Sequence, residues 1–196
     1  MTSATLASND FLAVMKEQRA QAYQSVANLK PSTKGRISLE EMQPLPASNS
    51  DALDDAIQQI KAVANTSATA TADQAHNEIT AATTTYKKSM GDSNAKSDFE
   101  QQMEKCKSNV INNARTGIDK AYDKAQELGA NMSPSEQNSL VNFMKTVVEE
   151  GFGAVVNEIT GFIVNAIRTL SSWIQGAFEA IKEVFAKIAA FIKSIF

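Results

Sequence analysis

The side chains that could carry out chemistry are few in this 196-residue chain, and they are widely separated. There is one cysteine, Cys106, and one histidine, His76, which excludes an internal disulfide and the usual zinc ligand sets. Cys106 lies among apolar residues at helical spacing, which predicts a small buried side chain. His76 lies among Ala, Thr and Asn residues, and we predict that it faces solvent. The sequence therefore predicts no metal and no cofactor.

Catalytic motifs are also missing from the sequence. Acidic pairs occur at Asp54-Asp55 and Glu149-Glu150, but acid–base catalysis needs a cleft and shifted pKa values, which neither context supplies. The chain has no P-loop, no Gly-x-Gly-x-x-Gly, no His-Glu-x-x-His, no Gly-x-Ser-x-Gly and no EF-hand loop. A net charge of −3 argues against a nucleic-acid partner. We expect a protein that is not an enzyme.

The elements that must position these residues are helices. Four prolines, eight glycines and the lack of regular apolar–polar alternation argue against strands. A hydrophobic fraction of 43% is enough for one packed core. The predicted fold is all-α: an elongated bundle of four to five helices with a long hydrophobic C-terminal helix. Residues 1–150 form its polar part, rich in Ala, Ser and Thr, and residues 151–196 form a hydrophobic, amphipathic segment.

Turn and cap signals divide the polar part of the chain. A first helix ends near Leu29, and residues 30–50, which contain three of the four prolines, form a flexible connector. A long helix then runs from Ser50 to about Met90. Its alanine-rich middle permits close packing against another helix.

Two capping boxes predict where the next helices begin. The Ser97–Glu100 box starts a helix that ends at Gly129 and carries a coiled-coil-like apolar repeat. We expect this helix to pair antiparallel with the Ser50–Met90 helix. The second box, at Ser133–Glu136, includes proline at the first helical position. Gly151 and Gly153 then predict a hinge before the hydrophobic segment.

Large apolar side chains are concentrated near the end of the chain. Seven of the nine phenylalanines lie from Phe143 onward, as does the only tryptophan. The candidate membrane-binding or partner-binding residues are Phe162, Ile163, Ile167, Leu170, Trp173, Ile174, Phe178, Ile181, Phe185, Ile188, Phe191 and Ile192. Polar residues follow one narrow line through the same segment, which we call the C-terminal polar stripe: Glu158, Asn165, Arg168, Ser172, Gln175, Glu179 and Lys182. Because the helical spacing of polar and apolar residues continues through Ser171-Ser172, we favour one long helix. The alternative is a hairpin that turns at residues 169–172.

This segment does not match a plain membrane anchor. Its longest charge-free window, residues 169–178, is well short of the roughly 18–20 residues that a span requires. From Arg168 onward its net charge is only +2, which gives weak attraction to anionic lipids. A mostly apolar helix with one polar stripe suits either the centre of a bundle or an oligomer in a bilayer, with the stripe lining a wet lumen.

Two functions follow from these alternatives. In the first, a bundle releases its C-terminal helix to bind or insert into a lipid bilayer, as a pore-forming, toxin-like or effector-like protein. An arrangement of long polar helices packed around an apolar segment resembles the general plan of α-helical pore-forming toxins, although no motif carries that likeness. In the second, a non-enzymatic interaction or assembly protein uses the helix as core, or as a docking surface for a partner or a second copy. The N-terminus has no classical signal peptide, so we expect a cytoplasmic or leaderless secreted protein that becomes membrane-associated.

Overall fold

Helices form nearly all of the structure in the computed structural model, which describes residues 8–28 and 50–196. No strand occurs among these residues, and the all-α prediction is confirmed. The predicted connector at residues 30–50 lies outside the described residues except for Ser50. The elements are α1 (Ser8–Ala27), α2 (Asp51–Lys88), α3 (Ala95–Gly129), α4 (Pro134–Thr146), a π-helical segment (Val147–Phe152), α5 (Gly153–Arg168) and α6 (Leu170–Ile195).

The longest helices, α2 and α3, form the predicted antiparallel pair. The Asn113 side-chain amide donates to Gln74 Oε1 at 2.9 Å, and that of Asn109 donates to the Glu78 carboxylate at 3.0 Å. Later residues of α3 therefore meet earlier residues of α2, as an antiparallel pair requires. Gly91 lies in the turn between them with φ +109°, a conformation that side chains other than glycine rarely adopt.

Small side chains line the contact between α2 and α3. A methyl group on Gly117 would lie 2.8 Å from Ser67 Cβ across the interface, so the two backbones approach closely here. Alanine recurs at the buried positions of both helices, as predicted from their composition: Ala64, Ala68, Ala72, Ala75 and Ala82 in α2, and Ala114, Ala121 and Ala125 in α3.

Of the two predicted capping boxes, one is present and one is wrong. Ser133 and Glu136 form the reciprocal box at α4, and hydrogen bonds from Ser133 and Ser50 hold the pKa of the Glu136 carboxyl below its usual value. Ser97, in contrast, already lies inside α3, which begins at Ala95. The preceding turn is closed by backbone bonds from Asp92 to Ser89 and from Ala95 to Asp92, so the chain winds into α3 before it reaches Ser97.

A third long helical run crosses the bundle as α4, the π-helical segment and α5. The backbone N–H of Gly153 donates to the Val148 carbonyl, five residues earlier, which is the bond of a π-helix. The run continues from Pro134 to Arg168 without a break.

The prediction of one long helix through residues 158–194 is wrong, and the alternative hairpin is correct. Phe162 lies 5.9 Å from Trp173 and 6.5 Å from Phe185, measured between ring centroids. In a straight helix Phe162 and Phe185 would be about 34 Å apart. The chain turns at Thr169, whose φ of −112° and ψ of 23° are not helical. Apolar residues keep the same helical spacing on both sides of this corner, because each helix buries one face. The spacing therefore does not reveal that the chain reverses direction at Thr169.

The two remaining helices, α1 and α6, complete the bundle from opposite ends. Arg19 of α1 forms ion pairs with Asp119 at 2.6 Å and Asp123 at 2.8 Å, in the second half of α3, and α1 also packs against α4. Helix α6 instead packs against α5 and the second half of α2. The bundle therefore has two four-helix halves, α1-α2-α3-α4 and α2-α3-α5-α6, which share α2 and α3.

The tight α2–α3 approach gives a first prediction. Gly117→Ala should lower the free energy of unfolding by about 1–3 kcal/mol, because the new methyl group would lie 2.7 Å from Phe152 Cε1 and 2.8 Å from Ser67 Cβ. Gly176→Ala is the matched control, since nothing lies within 4 Å of its added methyl group. Urea denaturation compares the two variants. Equal stabilities would contradict the close packing at Gly117.

Candidate functional site at the C-terminal helices

The candidate apolar residues are mostly inside the bundle. Only Phe178 is exposed, with 42% of its surface accessible. Four others are half-buried: Phe162, Ile167, Trp173 and Phe185. The remaining seven are buried: Ile163, Leu170, Ile174, Ile181, Ile188, Phe191 and Ile192. The structure thus holds this apolar surface against the other helices.

The C-terminal polar stripe lies on the outer side of the hairpin but is divided by its corner. Glu158, half-buried, and the exposed Asn165 and Arg168 belong to α5, where the Arg168 guanidinium donates to Asn165 Oδ1 at 3.2 Å. The part on α6 is fully exposed: Ser172, Gln175, Glu179 and Lys182. The stripe therefore marks solvent-facing positions on two helices, and not one line along a single helix.

Helix α6 is the amphipathic element of the pair. Its buried positions repeat every three or four residues, as in a heptad pattern: Leu170, Ile174, Ala177, Ile181, Val184, Ile188, Phe191, Ile192 and Ile195. Its charged residues are exposed on the other side, where Lys187 and Glu183 pair at 3.0 Å. Helix α5 is more deeply placed, because its first half, including Gly153–Val156, is buried.

Two polar side chains of α2 contact aromatic rings of α6, which sequence reasoning missed. His76 contacts the Phe185 ring edge-on at 5.1 Å, and the Lys87 ammonium lies 4.5 Å from the centroid of Phe178. Thr80 and Thr83 lie between these two contacts on the same helical stripe. We call His76, Thr80, Thr83 and Lys87 the α2 seat. The prediction that His76 faces solvent is wrong, because the α5–α6 hairpin brings Phe185 against it.

Two buried polar atoms in this region have no hydrogen-bond partner among the described residues. They are Thr80 Oγ1 in the α2 seat and Trp173 Nε1 at the start of α6. The Trp173 ring packs 5.9 Å from the rings of Phe99 and Phe162, measured between ring centroids. Thr83, in contrast, donates to the Ile79 carbonyl at 2.7 Å. Each unsatisfied polar atom costs about 1–3 kcal/mol, which weakens the attachment of α6.

The two glycines of the predicted hinge occupy the π-helical segment and its end. Gly151 is buried within the segment, and Gly153 is the first residue of α5. Single-turn π-helical insertions mark helix bends and are frequent at functional sites. The helical run is continuous through both glycines, and motion at this point stays a prediction.

The remaining candidate residue for chemistry, Cys106, is buried as predicted. Its thiol donates to the Ala75 carbonyl at 3.9 Å, and burial raises its pKa to about 12, with a further contribution from Glu78. Such a thiol stays protonated and is a poor nucleophile. Within residues 8–28 and 50–196, no three metal-binding side chains lie together. None of the helices in the described part of the chain has the length and apolar character needed to cross a membrane.

No family model matches the chain, and no curated protein or solved structure is significantly similar to it.

The unsatisfied hydroxyl of Thr80 gives a second prediction. Thr80→Val removes that hydroxyl while keeping nearly the same side-chain shape, and should raise the free energy of unfolding by about 1 kcal/mol. Thr66→Val on the same helix is the control, since Thr66 is exposed and its hydroxyl donates to the Ala62 carbonyl. Urea denaturation measures both. Thr80→Val could instead destabilise the protein as much as a typical core substitution does. The Thr80 hydroxyl would then have a hydrogen-bond partner in the folded protein, which would contradict the prediction.

Proposed function

We propose that this protein acts on membranes through α6, which separates from the bundle at Thr169 and places its apolar face on a lipid bilayer. The observation that carries the proposal is the mismatch between the two surfaces in contact. Two phenylalanine rings of α6, those of Phe185 and Phe178, lie on the histidine and the lysine of the α2 seat, with two threonines between them. Real proteins break such packing rules mainly at functional sites.

The protein core and a lipid bilayer are both apolar surroundings for the buried face of α6. Burying a large apolar side chain stabilises by about 1.5–3 kcal/mol, whether the apolar medium is a protein core or lipid. Transfer of α6 to a bilayer therefore retains most of that term for its buried face. On the other side, the polar groups of the α2 seat become hydrated, and the unsatisfied Thr80 hydroxyl and Trp173 N–H gain partners.

Helix α6 suits release better than α5 does. It lies at the outside of its half of the bundle, with its charged side chains already in solvent. It is joined to α5 by the single residue Thr169, whose backbone is already outside the helical region. Helix α5 belongs to the same helical run as α4 and is buried along most of its first half.

The proposed binding mode is a helix that lies in the bilayer interface. An amphipathic helix places its apolar face at the boundary between headgroups and acyl chains and keeps its charged face in water. A pore would require several copies, in which the exposed Gln175, Glu179 and Lys182 line a wet lumen. Insertion of this kind extends the proposal, and surface binding is its first step.

A second candidate function is a non-enzymatic helical interaction or assembly protein in which α6 is permanent core. The burial of nine residues of α6 in a regular heptad pattern favours it. Here the exposed Phe178 would contribute to a docking surface for a partner or a second copy. The two candidates differ in whether α6 ever leaves the α2 seat.

Vesicle co-flotation tests the membrane proposal. The full-length protein should float with vesicles of phosphatidylcholine and phosphatidylglycerol, and release of a trapped dye would report insertion. Phe178→Glu should weaken vesicle binding about tenfold or more, because it replaces an apolar contact worth about 1.5–3 kcal/mol and adds a negative charge to the lipid-facing side of α6.

Met90→Glu is the matched control for this substitution. Met90 is 58% exposed in the turn between α2 and α3, so the same change in chemistry occurs outside α6. We expect Met90→Glu to float as the wild type does, and both variants to keep the wild-type circular dichroism spectrum. A wild-type protein that neither floats with vesicles nor releases dye, at neutral or acidic pH, would contradict the membrane proposal and favour the assembly function.

A further inference from the structure

The far end of α6 reaches the π-helical segment in the middle of the bundle. There, the ring of Phe196, the residue after α6, lies against the backbone of Gly151. A methyl group on Gly151 would come within 2.7 Å of Phe196 Cε1, and closer still to Cζ. A methyl group at residue 151 would therefore force the Phe196 ring to shift from its present position.

The same ring is connected to the centre of the bundle through Phe152. The rings of Phe152 and Phe196 are 5.9 Å apart, with an interplanar angle of 49°. Phe152 is 1% exposed and packs on Gly117 of α3, at the point where α3 approaches Ser67 of α2. The end of α6 is thus in contact with the residues that fix α2, α3 and the π-helical segment relative to one another.

We propose that the contact of Phe196 with Gly151 and Phe152 is a latch that holds α6 in the bundle and controls its release. The start of α6 is joined to α5 through Thr169, and its middle lies on the α2 seat, which contains the unsatisfied Thr80 hydroxyl. The contact of Phe196 with Gly151 fastens the other end of α6 to the π-helical segment, so α6 separates only after Phe196 leaves Gly151. The inference rests on the proposed function only in that α6 moves to lipid after it is released. The latch itself would hold α6 whether or not lipid is present.

The latch is tested by amide hydrogen exchange of residues 188–195, without lipid, because exchange there reports local opening of the end of α6. Gly151→Ala should displace the Phe196 ring and speed this exchange about tenfold or more, a factor that corresponds to about 1.4 kcal/mol. Gly161→Ala is the matched control: it adds the same methyl group to α5, where nothing lies within 4 Å. Its exchange at residues 188–195 should equal that of the wild type.

Phe196→Ala provides a second variant that leaves the backbone of the π-helical segment unchanged. It should speed exchange at residues 188–195 as Gly151→Ala does, while exchange in the middle of α3 stays at the wild-type rate. Faster exchange in the end of α6 for both variants supports the latch. Wild-type exchange rates in Phe196→Ala would overturn it, even if Gly151→Ala perturbs the fold.

Vesicle flotation of the same variants separates the latch from the proposed function. If both variants open faster and also float at lower lipid concentration than the wild type, the latch controls membrane binding. If they open faster but neither they nor the wild type float, the latch stands and the membrane function fails. If the wild type floats while the variants exchange and float as it does, the membrane function stands and the latch is overturned.

Discussion

The close approach of α2 and α3 is the constraint on which the rest of the structure depends. Alanine and glycine line their contact, so the two backbones come together with little side-chain volume between them. Such a pair buries too little apolar surface to be stable alone, because burial scales with the apolar area removed from water. The missing volume must come from other elements. The two C-terminal helices supply it with large aliphatic and aromatic side chains, which explains their concentration at one end of the sequence.

This division of roles leaves one contact that is poorly matched. In the half of the bundle that contains α6, large apolar side chains meet the α2 seat, while elsewhere α2 presents alanine and isoleucine to its neighbours. The buried Thr80 hydroxyl and Trp173 N–H are left without partners in the same region. Through most of the bundle, apolar residues of one helix pack on apolar residues of the next. At α6, apolar rings pack on polar residues of α2 instead. Helix α6 is for this reason the helix that we propose leaves the bundle.

Helix boundaries were readable from the sequence where capping chemistry is local. The reciprocal bonds of the capping box join Ser133 and Glu136 within one turn, so the start of α4 could be predicted from four residues. The start of α3 could not, because it depends on how the turn after Gly91 closes. The antiparallel α2–α3 pair followed from matched lengths and apolar spacing. The corner at Thr169 did not, since its only local signs are hydroxyl residues, which also occur inside helices.

The candidate site was predictable in composition but not in its surroundings. The apolar residues of α6 were evident from type and spacing, and most of them are buried as a set. The α2 seat was not evident, because polar residues at helical spacing ordinarily face water. Only the hairpin, which brings Phe185 to His76 and Phe178 to Lys87, shows that these residues lie beneath another helix. Long-range pairing of this kind is not encoded in the spacing of either helix alone.

The central claim is that α6 moves from the α2 seat to lipid, and Trp173 reports on it directly. It is the only tryptophan of the chain and lies at the start of α6, half-buried between Phe99 and Phe162. The decisive measurement is its fluorescence in full-length protein mixed with vesicles whose acyl chains are brominated near the headgroups, compared with unbrominated vesicles. The account predicts strong quenching by the brominated lipid, because Trp173 enters the interface. Equal fluorescence with both lipids would contradict it.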